Sequence, residues 1–467
     1  PMLAELSPAD VVEQPMYTKG EAMKKLPVVA ILLAFALLAA ACGDDSGEDT
    51  TTAPPATTDA APETTAAPET TAAPETTAAP ETTEAPPETT EAPAFEPLYE
   101  GDLTVGYVLP QTGGLSVIAP SLISAVDLAF AEIEAAGNAN LVVIPTDSGT
   151  DAAVASASVE QLINDEVDAI VGPAATGVSL SVIDRITGSE IPMCSPSNTG
   201  AIFTTYDDGG YYFRTSPPDN LQGTVHADLI TDDGASSVAI AFRSDEYGRG
   251  LANAVKAQLE ANGVDVPAFV EFDKDGTSFD AEAASIAAAG VDAISLIPFA
   301  EGAAFVQALI EAGVGPADVQ LYGADGFVDS VTAEAIDPNN PAVLEGTRGT
   351  YPSLSPPDGE ATFVERFTAF APPDTPTIFS AHSFDCATVL VLAAEAAGST
   401  DSVAIAAAVN DVTRGGEKCS SYAACHALLQ QGVDIDYDGA AGALDFVDAG
   451  EPGAGAYDLL TYCLLYT

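Results

Sequence analysis

Two series of short apolar runs, each followed by segments of helical spacing, occupy the sequence between Leu103 and Asp325. The first series begins with LTVGYVL (103–109) and ends with IPMCS; the second begins with SVAIAFRS and ends with VQLYGAD. Short strands that alternate with helices form parallel sheets with helices packed on both faces. The pattern therefore predicts an α/β chain with two doubly wound parallel-sheet lobes, joined by a hinge and separated by a cleft.

The length of this part of the chain also favours two lobes, because roughly 370 residues are too many for one ordinary core. We assign residues 97–217 and 327–450 to the first lobe and residues 218–326 to the second. Residues 451–467 are predicted to form a C-terminal strand that returns to the second lobe.

Two loops at the ends of first-series strands carry small and hydroxyl residues, VGPAATG (171–177) and CSPSNTG (194–200). Ligands of such sheets bind at the carboxyl ends of the strands, and with two lobes the natural site is the cleft between them. A helix N-terminus with nearby hydroxyls suits a carboxylate. The alternative is ordinary turn and helix-capping chemistry.

The chain has 13 basic and 70 acidic residues and a formal net charge of −57. Nucleic-acid binding requires a basic stripe, and electrostatic binding to an anionic membrane requires a basic cluster. The charge argues against both kinds of partner.

An uncharged, mostly apolar run from Leu26 to Ala41 follows Lys24 and Lys25 and ends at Cys42. This is the layout of a secretory signal, and the run is short for a membrane span. The three alanines before Cys42 resemble a bacterial lipobox, which predicts lipidation of Cys42. The alternative is a plain signal peptide with a chance cysteine. Residues 1–41 are thus interpreted as a start extension and a signal peptide.

Residues 42–96 contain repeats of AAPETT between Cys42 and the folded part. Such a segment cannot bury enough apolar surface to offset its ordering entropy, so we expect a disordered Thr/Pro/Glu tether. Together with Cys42 it predicts a protein anchored through lipid on the outer face of a bacterial cytoplasmic membrane.

Five cysteines remain after Cys42. In an exported protein the close pair Cys419 and Cys425 is expected to form a disulfide. Cys194, Cys386 and Cys463 are expected to be buried apolar residues. No C-x-x-C or H-E-x-x-H motif suggests zinc, and no G-x-S-x-G motif suggests a hydrolase, so neither a cofactor nor an enzyme is predicted.

The stretch DIDYDG (434–439) fits the start of a calcium-binding EF-hand loop, with Asp445 in the twelfth position. The twelfth ligand should be a glutamate, however, and GALDF then has the pattern of a strand rather than of a helix. A solvated acidic turn is the favoured interpretation, and no metal site is predicted.

An ordered set of motifs, VGPAATG, IPMCSPSNTG, YYFRTSPPDNLQG, DEYGRGLANAV and YGADGF, resembles the branched-chain amino-acid-type solute-binding proteins of ABC transporters. The segment YYFRTSPPD is also similar to the ligand-binding domain of metabotropic glutamate receptors, which share this periplasmic binding protein type 1 fold. The resemblance covers the chain from about Gly101 onward. It implies capture of a small polar solute, expected to be an amino acid, and its delivery to an ABC permease. A sensory role, or an amide, urea or aromatic acid as ligand, are the alternatives.

The resemblance also implies which residues contact the ligand. It places the ligand carboxylate and amino groups on the two loops, and the ligand side chain on the first loop and helix. The implied ligand-binding residues are Gln111, Ile118, Ala175, Thr176, Gly177, Ser195, Ser197, Asp219, Tyr247 and Asp325.

Within this set the two aspartates are expected to pair with an ammonium group, and Tyr247 is expected to cover the ligand from the second lobe. The structural alternatives are helix capping for Asp219 and Asp325 and ordinary packing for Tyr247. The sequence departs from the bacterial amino-acid binders in DKDGTSFD (273–280), where Asp275 lies about one position from the family's glutamate and Gly276 is in register.

Overall fold

A computed structural model describes residues 96–463, apart from residues 139, 355, 357 and 358. The predicted signal peptide, the predicted lipidation site Cys42 and nearly all of the predicted tether lie outside the described residues.

The described chain alternates strands and helices as its sequence predicts. The strands are β1 Leu103–Leu109, β2 Leu141–Asp147, β3 Ala169–Val171, β4 Met193–Ser195, β5 Tyr212–Arg214, β6 Ser237–Arg243, β7 Asp265–Phe272, β8 Ala293–Ile297, β9 Gln320–Gly323, β10 Arg348–Pro352, β11 Glu417–Cys419, β12 Ile435–Tyr437 and β13 Tyr457–Thr461. The α-helices are α1 Ala119–Ala135, α2 Ala152–Asn164, α3 Thr176–Thr187, α4 Asp219–Asp232, α5 Glu246–Ala261, α6 Asp280–Ala289, α7 Gly302–Glu311, α8 Ala333–Ile336, α9 Glu360–Phe370, α10 Ser380–Ala397, α11 Ser402–Val409 and α12 Tyr422–Leu429.

Two large sheets organise these elements. The first has five parallel strands in the order β2-β1-β3-β4-β5, and the second has six in the order β13-β10-β9-β8-β6-β7. All pairs of the second sheet are parallel except β10 with β13, which is antiparallel. A small parallel pair, β11 with β12, is separate from both. The two parallel sheets with their helices confirm the predicted α/β fold class.

The second lobe extends further along the chain than the predicted boundary at residue 327. Phe327, Val331 and Ile336 pack in the core of the second sheet, and β10 is one of its strands. The assignment of this stretch to the first lobe was therefore wrong. Because RGTYP contains Arg, Gly and Pro, β10 lacks the apolar run that marks the other strands. The first lobe resumes with α9, and β13 returns to the second sheet.

Among the described residues, the chain passes from one lobe to the other after β5, after β10 and before β13, and backbone hydrogen bonds join the chain segments at these crossings. The N–H of Ser353 donates to the carbonyl of Ala456 at 2.9 Å, and the N–H of Arg214 donates to the carbonyl of Gly450 at 2.9 Å. Three neighbouring connecting segments let the lobes rotate about them while limiting other relative movement, which is the geometry of a hinge.

Burial explains the helices of the first lobe. α10 is buried along nearly its whole length and packs against α1. α1 with its preceding turn (Ser116–Ala135) is long and apolar enough to resemble a membrane span, but more than half of it is buried inside the lobe. Both are core helices of an α/β layer, where a helix can be apolar on every side.

Candidate functional site

A narrow cavity with about 360 Å³ of unoccupied space lies between the lobes, at the carboxyl ends of their strands. The first lobe contributes two groups of lining residues, one apolar and one small and polar. They are Leu115, Ile118, Ile378 and Phe379, and Ala174, Ala175, Thr176, Ser197 and Thr199. The second lobe contributes Tyr247, Phe299, Asp325, Gly326 and Ser330.

The N-terminus of α3 forms part of the polar wall. The N–H groups of the first turn have no partner inside the helix. Ala175, the N-cap residue, has no side-chain oxygen to accept from them. The Thr176 hydroxyl accepts a hydrogen bond from the N–H of Gly200 at 3.2 Å, which joins the two loops. These free N–H groups and the helix dipole favour a negatively charged ligand group.

The second loop reaches the cavity through different residues than expected. Ser197 and Thr199 line the cavity, and Ser197 donates to the carbonyl of Ala174 at 3.1 Å. Ser195 does not line it: its fully buried hydroxyl donates to Pro173 at 2.6 Å and accepts from the N–H of Asn198 at 3.0 Å. Ser195 therefore stabilises the loop and does not contact the cavity. Thr199 lines the cavity but was not among the predicted site residues.

A buried arginine supports this loop from behind. Arg214 donates to the backbone carbonyls of Asn198 at 3.0 Å and Gly200 at 2.8 Å. Its Nε also donates to Glu451 at 2.8 Å, and both side chains are buried. Since Glu451 lies at the third crossing between the lobes, Arg214 connects the ligand loop to the hinge.

Tyr247 and Asp325 form the polar surface of the second lobe. The Tyr247 hydroxyl donates to Oδ1 of Asp325 at 3.0 Å and accepts from the N–H of Gly326 at 3.0 Å. Burial raises the pKa of Asp325 to about 6, although hydrogen bonds from Tyr247 and Gln222 oppose the shift. A cationic ligand group at this carboxylate would replace the solvation that burial has removed.

Asp219, the first residue of α4, is completely buried beside this pair and does not line the cavity. Neither of its carboxylate oxygens has a hydrogen-bond partner of ordinary geometry among the described residues. Burial and the neighbouring Asp325 raise its pKa well above the usual range, while the Thr199 hydroxyl and Arg214 lower it slightly. Because Asp219 retains its proton, Asp325 is the carboxyl group that can carry negative charge on the second-lobe side of the cleft.

The apolar end of the cavity comes from distant parts of the chain. Ile118 lines it, as the resemblance implied, and Ile378 and Phe379 approach from the loop before α10. Gln111 does not line it and is exposed on the first loop. Gly177 lines an adjacent cavity rather than this one. Asp275 is exposed and pairs with Lys274, so it takes no part in the site.

The cysteines differ in part from expectation. Cys194 and Cys386 are buried, as expected, and they form a disulfide that joins β4 to α10. Their 192-residue separation leaves no sequence signal for the pairing. Cys463 is exposed, so the expectation that it is buried was wrong. Cys419 and Cys425 are joined, as their spacing predicted.

An ammonium group occupies the acidic turn that resembled a calcium loop. Lys418 Nζ lies 3.0 Å from Asp436, 2.8 Å from Asp438 and 3.5 Å from Asp445. Among the described residues, no group of three or more His, Cys, Asp or Glu side chains is arranged to hold a metal ion. The lysine provides the positive charge that the acidic turn requires.

Known proteins share this sequence and this arrangement of two parallel-sheet lobes around a cleft. The profile of the family described as "Periplasmic binding protein" matches residues 102–416, about two thirds of the chain. The chain belongs to the periplasmic binding protein family. Together with the relatives and solved structures described next, the match confirms the resemblance to the branched-chain amino-acid type with the type 1 fold.

Among the relatives of this periplasmic binding protein is a Leu/Ile/Val-binding protein homolog 2 of Brucella abortus, 27% identical over 66% of this chain and 82% of the relative. Another is BasB of Halobacterium salinarum, a chemotactic signal transduction substrate-binding protein, 27% identical over 76% of this chain and 85% of BasB.

Solved structures share the fold. A leucine-binding protein, LivK, of Thermotoga maritima covers 77% of this chain and 95% of its own, with a TM-score of 0.64 and 20% identity. A solute-binding protein of R. palustris in complex with 4-hydroxybenzoate covers 69% and 87%, with a TM-score of 0.59 and 23% identity.

Proposed function

We propose that this periplasmic binding protein captures an α-amino acid with an apolar side chain between its lobes and delivers it to an ABC permease. The observation that carries the proposal is the arrangement of the cavity. It has an uncapped helix N-terminus at Ala175 on one wall, the Tyr247–Asp325 pair on the other, and an apolar end at Ile118, Ile378 and Phe379.

Each part of a zwitterionic ligand has a matching surface in this arrangement. The carboxylate is bound by the N–H groups of α3 and the hydroxyls of Ser197 and Thr199. The ammonium group is bound by Asp325, which Tyr247 orients. The aliphatic side chain packs between Leu115 and Phe379, where burial contributes about 25 cal/mol per Å² of apolar surface.

Hinge closure completes the site, because the two halves belong to different lobes. The ligand replaces water between the lobes and bridges the α3 terminus to Asp325. The closed, loaded form is the one presented to the permease. The predicted signal peptide within residues 1–41, the predicted lipidation of Cys42 and the predicted tether support anchoring on the outer face of the cytoplasmic membrane.

An aromatic acid is a second candidate ligand, because the cavity has two phenylalanines and a solved neighbour binds 4-hydroxybenzoate. An aromatic acid has no positive group to pair with the buried Asp325 carboxylate, so the amino acid is favoured. A chemotactic relative also makes a sensory role the alternative to transport.

Isothermal titration of the purified protein with leucine, isoleucine, valine and 4-hydroxybenzoate tests the proposal. We expect saturable binding of at least one of the amino acids. Binding of 4-hydroxybenzoate with no heat from any α-amino acid would overturn it.

A further inference from the structure

A second cavity lies between the lobes, next to the first. It has about 820 Å³ of unoccupied space, open to solvent. Arg243, Arg249 and Lys274 line it from the second lobe, and Asp151 and Gly177 line it from the first. Six of its thirteen lining residues are charged, so it can accommodate the polar continuation of a ligand.

Two residues line both cavities, and they form the partition between them. Ala175 contributes from the first lobe, and Phe299 contributes from the second. Ala175 is a small residue, so the size of the opening depends mainly on the Phe299 ring.

Phe299 is held firmly in place. Its ring stacks on Tyr247, with centroids 5.3 Å apart and planes 21° apart, and the guanidinium of Arg243 lies 3.6 Å from its centroid. Arg243 is itself fixed by Asp245 and Glu301, each at 2.7 Å.

Gly326 permits this packing. A Cβ added at Gly326 would lie 2.7 Å from the Tyr247 hydroxyl and 3.0 Å from the edge of the Phe299 ring. A glycine at this position therefore lets the ring sit against the backbone beside Asp325. The ring cannot move aside without losing its stacking on Tyr247, whose hydroxyl donates to Asp325.

The partition stands at the carboxylate end of the proposed ligand, because Ala175 begins α3. A peptide bonded to that carboxyl group would have to pass between Ala175 and Phe299 into the second cavity. We propose that Phe299 restricts the site to single amino acids and excludes peptides that begin with the same residue. This inference rests on the proposed function.

The test compares leucine with leucylglycine by isothermal titration of the purified protein and its variants. Wild type is expected to bind leucine at least 100-fold more tightly than leucylglycine. F299A is expected to shift the ratio of the two affinities toward leucylglycine by at least tenfold, and F299L, which retains more of the packing, by a smaller factor.

F379A is the matched control, because it removes the same ring from the apolar end of the same cavity, away from the second one. It is expected to leave the leucylglycine-to-leucine ratio within about threefold of wild type, since that end faces the ligand side chain. A shift in F379A equal to that in F299A would overturn the inference.

Two other results would also overturn the inference while leaving the proposed function intact. One is that wild type binds both ligands equally. The other is that F299A and F299L both bind leucine, with a leucylglycine-to-leucine affinity ratio equal to that of wild type. If wild type binds no α-amino acid at all, the proposed function fails and the inference fails with it.

Discussion

The hydroxyl of Tyr247 lies 3.0 Å from Oδ1 of Asp325, although the two residues are 78 positions apart and follow different strands of the second sheet. The same hydroxyl accepts the N–H of Gly326. It therefore fixes the direction in which the Asp325 carboxylate faces the first lobe, and the first four predictions below concern this carboxylate and the groups that support the site.

Replacing Asp325 with asparagine removes the charge and keeps the shape. We expect D325N to bind α-amino acids at least tenfold more weakly, because a hydrogen bond to a charged group is worth about 1.5–3 kcal/mol. Isothermal titration measures the loss. D329N is the control, since Asp329 is exposed nearby and does not line the cavity. Equal affinities of D325N and wild type would contradict the role given to Asp325.

The affinity for an ammonium ligand should fall in acid. Because the pKa of Asp325 is raised to about 6, protons compete with the ligand below that pH. We expect affinity to fall about tenfold per pH unit below 6, with proton release on binding. Titrations in two buffers of different ionisation enthalpy measure the released proton. A pH profile of D325N that matches wild type would show that another group controls the effect.

Asp219 should affect stability more than affinity. Its folded-state pKa is raised by burial and by Asp325, so the folded state keeps a proton that the unfolded state releases as pH rises above about 4. This contribution to stability is present in acid and is lost toward neutral pH. We expect the free energy of unfolding from urea titration to be higher for D219N than for wild type at pH 8, by about 1 kcal/mol or more. At pH 4 the two free energies should differ little.

Comparing D219N with wild type at each pH cancels the opposite contributions of His226 and His382, whose pKa values burial lowers to about 4. Equal stabilities at pH 8 would mean that the buried carboxylate carries no such cost.

Arg214 should be important for stability because it is buried with Glu451. R214M is expected to lose about 3–5 kcal/mol, since it leaves the Glu451 carboxylate buried without its partner. The double variant R214M/E451L should recover part of that loss. R185M is a matched control on the exposed Arg185–Glu160 pair and should change stability little. Urea unfolding measures all three, and an R214M as stable as R185M would contradict the account.

The repeated strand–helix pattern predicted the fold because each strand and helix has its own local signal. The family resemblance carried by DEYG and YGADGF implied Tyr247 and Asp325 as ligand-binding residues, and both line the cavity. Phe299, Ile378 and Phe379 were missed because they lie in loops, outside the periodic patterns of the strands and helices. Only the tertiary packing brings them to the cavity.

The remaining errors have the same kind of cause. The direction of the Ser195 hydroxyl depends on the turn it stabilises, and the partner of Cys194 lies 192 residues away. β10 was missed because its five residues include Arg, Gly and Pro. Long-range partners and side-chain directions leave no pattern in a single sequence.

The central claim is that the cleft binds a zwitterion through both lobes, and a thermal-unfolding titration with leucine and with its desamino analogue, 4-methylpentanoate, tests it most directly. A ligand that binds only the folded state raises the unfolding midpoint. We predict a rise with leucine, or with isoleucine or valine if the apolar end prefers a branched β-carbon, and none with 4-methylpentanoate. An equal rise with 4-methylpentanoate would contradict the account, because a ligand without an ammonium group would then need neither Asp325 nor Tyr247.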